Sequence, residues 1–192
     1  MKYYLLSFPR SGNTFMRYII ERIYRIKTFG LSEKTSGPLI QYIEPNFEYI
    51  EGVEVMKRHK ITDETGGLIY LERPKKEVVK RYLLSYNYTD KKVNKIRSKR
   101  EYSIPAIEAF NAWDNCRNDF LNWPGPKCAI DYQMIIKDIS VINDILFRTF
   151  GFQETGLDEF ILNMKDHIAK SLYIYTDLQN AESFSYGIKK SN

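Results

Sequence analysis

Only two cysteines, Cys116 and Cys128, and two histidines, His59 and His167, occur among 192 residues. That scarcity excludes a disulfide scaffold, and neither cysteine has a Cys or His at metal-ligand spacing. The thiols therefore read as reduced, in a cytosolic protein, and no metal is expected. Long apolar runs are missing too. No stretch approaches the ~20 residues of a membrane span, and the N-terminal run "YYLLSF" is too short for a signal peptide. With no internal repeat and no low-complexity linker, residues 1–192 read as one domain. Also absent is the nucleotide-triphosphate loop G-x-x-x-x-G-K-[ST], which counts against an ATPase or kinase.

What is present is enough for a core, since 43% of the residues are hydrophobic. The formal charge of +5 favours anionic partners: phosphates, sulfates, nucleic acid or acidic lipid.

Apolar periodicity gives the architecture. "KYYLLSF" predicts a buried strand, and Met16, Ile19, Ile20, Ile23 and Ile26 recur at helical spacing with Arg17, Glu21, Arg22 and Arg25 between them. The stretch Thr28 to Gly52 is broken by Gly30, Gly37, Pro38 and Pro45. Val53 to His59 and Gly66 to Arg73 predict short strands. A stripe of Val78, Val79, Tyr82, Leu83 and Tyr86 follows, then a basic segment, Asp90 to Arg100, expected as an exposed loop or lid. Pro105 opens a helix through Ala109, Trp113 and Phe120. Lys127 to Tyr132 predicts a fourth strand. Ile139 to Phe150 predicts a helix stopped by Gly151, and a polar helical segment follows Leu157. Strands alternating with helices predict a three-layer α/β fold, a P-loop-like parallel sheet flanked by helices. In such sheets ligands bind at the carboxyl ends of the strands.

The segment "SFPRSGNT", Ser7 to Thr14, occupies the first of those ends. Gly12 permits a tight turn and close backbone approach to an anion. Ser11, Asn13 and Thr14 supply donors beside the free N–H groups of the helix start, and Arg10 adds a permanent charge. The composition suits a bound phosphate or sulfate; taken alone, it also suits a plain helix cap.

The run "SFPRSGNTFMRYIIE" resembles the 5′-phosphosulfate loop of the sulfotransferases, which use 3′-phosphoadenosine 5′-phosphosulfate (PAPS) as donor. The family pattern is Pro-Lys/Arg-Ser-Gly-Thr/Asn-Thr followed by Trp, and Phe15 takes the aromatic place here. Three further segments are similar to family elements, in family order, over roughly Met1 to Gly151. "VMKRHK" looks like a strand end in Lys-Thr-His, which implies Lys57 in the active site and His59 as general base, with Arg58 in place of Thr. "ERPKKEVVKRY" is similar to the 3′-phosphate element Arg-Asn-Pro-Lys-Asp-Val-x-x-Ser-Tyr. It implies Arg73 as a phosphate ligand and Arg81, in the Ser position, as a second. "KCAIDYQMIIKD" aligns Tyr132 with a tyrosine that lies by the adenine in relatives.

The resemblance implies sulfuryl transfer from PAPS to a hydroxyl or amine of a small-molecule, glycan or peptide acceptor, releasing 3′,5′-adenosine diphosphate (PAP) without a metal. The catalytic set would be His59, Arg10 and Lys57, and the donor set Arg10, Ser11, Gly12, Asn13, Thr14, Arg73, Arg81 and Tyr132. The family's late Arg-Lys-Gly segment has only "YGIKKSN" as a counterpart. Two other readings stay open: a nucleotide or small-molecule kinase, and a non-enzymatic polyanion-binding module, including a degenerate sulfotransferase. The basic residues gather at several strand ends rather than in one stripe, so nucleic acid is not the expected partner.

Overall fold

The computed structural model describes residues 2–31, 37–61, 65–85 and 104–185. The expected loop at Asp90 to Arg100, Tyr86, and the terminal "YGIKKSN" lie outside them. Five strands, β1 (Lys2–Leu6), β2 (Lys27–Phe29), β3 (Glu54–Arg58), β4 (Gly67–Glu72) and β5 (Lys127–Asp131), form one sheet in the order β2-β3-β1-β4-β5. All pairings are parallel, with Leu5 beside both Lys57 and Ile69. The described helices are α1 (Asn13–Tyr24), α2 (Lys75–Ser85), α3 (Ile104–Leu121), α4 (Tyr132–Lys137), α5 (Ser140–Phe150), α6 (Leu157–Leu162) and α7 (Met164–Ser185).

Alternation along the strands separates two faces. Tyr3, Leu5, Val55, Ile69 and Leu71 meet Met16, Ile19, Ile20 and Ile23 of α1 and Ile142 and Leu146 of α5. Tyr4, Leu6, Leu68 and Tyr70 point the other way, onto Cys116 of α3 and Trp123. Each isoleucine buried from α1 contributes about 1.5–3 kcal/mol relative to exposure. The three-layer α/β class expected from the sequence is the one observed.

Three local readings change. β2 runs into the stretch read as irregular; at three residues it is too short for a periodic signal, and its place is set by pairing Thr28 with Val55. β5 ends one residue early because the Asp131 side chain caps α4, accepting from the Gln133 N–H at 2.8 Å, so that Tyr132 opens a helix. Arg17 and Glu21, read as the polar side of α1, are 3% and 0% exposed. They bond inward to β2 and to the segment that follows it. Cys116 and Cys128 are free and buried on opposite faces, and burial pushes both thiols up to about 12. No helix among the described residues is long and apolar enough to cross a membrane.

Candidate active site

β1, β3, β4 and β5 are neighbours, and each is followed at its carboxyl end by one of the four sequence motifs. The β1–α1 turn is built around Gly12, the N-cap of α1, in the left-handed conformation with φ 99°. Glycine offers no capping side chain, and the first turn of α1 carries no acidic residue. The N–H groups of that turn are therefore left without an intrahelical acceptor, at the positive end of the helix dipole. Ser11 and Asn13 are buried and Thr14 is half-buried. Ser7 Oγ donates to Asn13 Oδ1 at 2.7 Å, which occupies the amide oxygen and leaves the Asn13 NH₂ as the part able to donate.

His59 is bound to the same turn. Its Nδ1–H donates to the Ser7 carbonyl at 2.5 Å; a carbonyl can only accept, so the neutral ring carries its free lone pair on Nε2. Burial, with the nearby Lys57 ammonium, pushes the His59 pKa down to about 4, against the smaller opposite effect of the Ser7 bond. The imidazole is a neutral base throughout the physiological range. Strand alternation sends Arg58 to the other face, where its guanidinium lies 5.6 Å from the Tyr4 ring centroid. Lys57 and His59 flank the site without it.

Beyond β4, Arg73 is 8% exposed and lies 4.4 Å from the Tyr132 ring centroid. Gly12 also lies against that ring: a Cβ built there would stand 2.2 Å from Tyr132 Cε2 and 2.5 Å from Cδ2. Tyr132 thus brings the uncapped helix start near the buried guanidinium. Arg73 Nη2 donates to Glu77 Oε1 at 2.6 Å, and Arg81, 56% exposed along its side chain, reaches the same oxygen at 3.3 Å. The pair holds the Glu77 carboxyl below its usual range. Arg73 Nε is buried with no hydrogen-bond partner among the described residues. A cleft of about 360 Å³ opens alongside, lined by Arg73, Lys75, Trp113, Arg117 and their neighbours. A larger hollow, about 490 Å³, lies between Arg25 and residues 44–48 at the far end of α1 and holds none of the motif residues.

Glycine is required twice at position 12, for its left-handed φ and for the ring against it. We expect Gly12→Ala to lose at least ~1–2 kcal/mol of stability from the backbone alone, and to push Tyr132 off Arg73. Urea melts check the first effect. An unchanged midpoint would show that the turn does not need glycine at this position.

Sequence reasoning missed Tyr175. It sits on α7, and its hydroxyl accepts from Arg10 Nη1 across 165 positions of chain. Its only sequence signal is the buried stripe of His167, Ser171 and Ile174, which fixes which side of the polar helix faces inward. Among the described residues no cluster of three or more His, Cys, Asp or Glu could hold a metal.

Neither protein-family models nor curated proteins give a match to the chain. Among solved structures, mouse sulfotransferase SULT7A1 complexed with PAP is similar, with a TM-score of 0.50 and 16% identity over 88% of this chain. The chain spans 64% of that protein's length. At that identity the likeness is one of fold, and the fold is sulfotransferase-like.

Proposed function

We propose that the chain is a PAPS-dependent sulfotransferase acting on a hydroxyl or amine. The observation that carries the reading is that Gly12 and Arg73 both lie against Tyr132, which brings the uncapped helix start near a buried guanidinium while His59 is bonded to the same turn. The residues fit a donor with a phosphate at each end. The uncapped helix start, with Ser11, Asn13 and Thr14, would hold the 5′-phosphate, and Arg10 would reach the sulfuryl group beyond it. Arg73, through its unpartnered Nε, would hold the 3′-phosphate with Arg81, and Tyr132 would lie by the adenine. The likeness in fold to a PAP-bound sulfotransferase supports the same assignment. The donor supplies an activated sulfuryl group.

His59 Nε2 takes the acceptor proton as the acceptor oxygen or nitrogen bonds to sulfur. The bond between sulfur and the 5′-phosphate oxygen breaks. Arg10 and Lys57 offset the charge that grows on the transferring group and gathers on that oxygen. Positioning and electrostatics supply most of the rate, as in phosphoryl transfer. The acceptor belongs to the small-molecule, glycan or peptide class. Two buried free thiols fit a reducing, cytosolic setting, and one domain suffices for the site.

Calorimetric titration tests the reading. PAP binds, ATP with Mg²⁺ does not compete, and Arg73→Ala weakens PAP by about tenfold to a hundredfold, the worth of one or two charge-assisted hydrogen bonds. Preference for ATP with Mg²⁺ points to a kinase. Salt-sensitive binding to heparin with no nucleotide bound points to a polyanion-binding module.

A further inference from the structure

Helix α7 is registered against the turn by contacts spread along its length. The Tyr18 hydroxyl of α1 and His167 Nδ1 are 2.9 Å apart, His167 Nε2 meets Glu159 at 3.2 Å, and the His167 ring stacks on Phe160 at 4.5 Å. Lys170 pairs with Glu44 at 3.4 Å, and the Tyr42 hydroxyl donates to Asp177. His167, Ser171 and Ile174 are buried, so the rotation of α7 about its axis is fixed, and Tyr175, one turn beyond Ser171, is carried to Arg10. Arg10 meets it from a left-handed backbone, φ 69°, a conformation that disfavours a non-glycine residue. Its guanidinium carbon lies 5.8 Å from the Tyr175 ring centroid.

The chemistry of the partner matters. A carboxylate in this place would orient Arg10 and cancel its charge. A phenol oxygen accepts one N–H, orients the fork, and leaves the positive charge for an anion; its own O–H remains a donor. We infer that Tyr175 is a positioning residue of the donor site, which holds the Arg10 guanidinium where the transferring sulfonate sits, so that the protein distinguishes PAPS from PAP. The inference rests on the sulfotransferase reading and extends the site to α7.

The test measures Kd for PAPS and for PAP in the full chain and in Tyr175→Phe, Arg10→Ala and the double variant. Phenylalanine keeps the ring and removes the acceptor, so the fold survives. The wild-type chain binds PAPS more tightly than PAP. Tyr175→Phe weakens PAPS about tenfold, leaves PAP within about twofold, and has no further effect when Arg10 is already alanine. A merely structural tyrosine would weaken both ligands alike, or act undiminished in the Arg10→Ala chain. Either result overturns the inference, as does a wild-type chain that binds the two ligands equally. Binding of neither ligand by the wild type removes the functional reading itself, which separates the two failures.

Discussion

Replacing His59 with alanine is expected to lower kcat by about 10²–10⁴-fold, the usual worth of a positioned general base, with the Kd for PAP almost unchanged. The reason lies in the hydrogen bond to Ser7. It fixes the tautomer, which leaves the lone pair on Nε2, the atom the proposed mechanism uses. PAP carries no acceptor proton, so it does not sense the loss. Turnover is measured with radiolabelled PAPS against a screen of hydroxyl and amine acceptors. Unchanged kcat in His59→Ala would remove the imidazole from the mechanism.

The same ring sets the pH dependence. Burial and the Lys57 charge lower its pKa to about 4, so the acid limb of kcat/KM, which reports the free enzyme, falls near pH 4 rather than near 6.5. An anionic donor beside the imidazole favours the protonated form, which moves the limb seen in kcat to higher pH. The direction for stability follows from linkage. The folded pKa is depressed, so the contribution of neutral His59 is complete above the unfolded value of 6.5 and is lost as pH falls through 4. A limb at 6.5 that persists in His59→Ala would belong to another group.

The parts of this molecule that could be read from sequence are those whose chemistry is local. Gly12, Arg10 and the donors around them stand within one turn, and the strand ends Lys57–His59, Arg73 and Tyr132 are each announced by a short apolar run that stops. What joins them is not local. Tyr132 is pressed onto Gly12 from 120 positions further along the chain, by the sheet order rather than by any spacing. Tyr175 reaches Arg10 only because α7 lies along α1, and a tyrosine on a polar helix has no periodic signature. Arg17 and Glu21 misled for a different reason. Charged residues between apolar positions normally face water, and here they are satisfied by backbone groups that the sequence does not mark as partners.

Glu21→Gln is expected to be nearly as damaging as Glu21→Ala, each costing about 3–5 kcal/mol, the range for removing one partner from a buried charged network. Every neighbour of the Glu21 carboxylate donates. The Leu39 N–H reaches Oε1 at 2.9 Å, the Ile40 N–H reaches Oε2 at 2.8 Å, and Tyr49 Oη donates to Oε2 at 2.8 Å. Thr28 Oγ1 donates to Oε1 while accepting from Arg17 Nε at 2.8 Å. Burial raises the Glu21 pKa, and the bonds from Leu39, Thr28 and Ile40 with the Arg17 charge oppose it. Burial likewise draws Arg17 down to about 10. Glutamine must turn its NH₂ toward one pair of donors, and either choice sets donor against donor in a site with no water exposure. Thermal melts read the result as a fall of roughly 10 °C for a chain of this size. A Glu21→Gln chain that melts within a degree of wild type would mean that the pocket accepts a donor, and that the segment from Leu39 to Tyr49 is held to α1 by something other than this carboxylate.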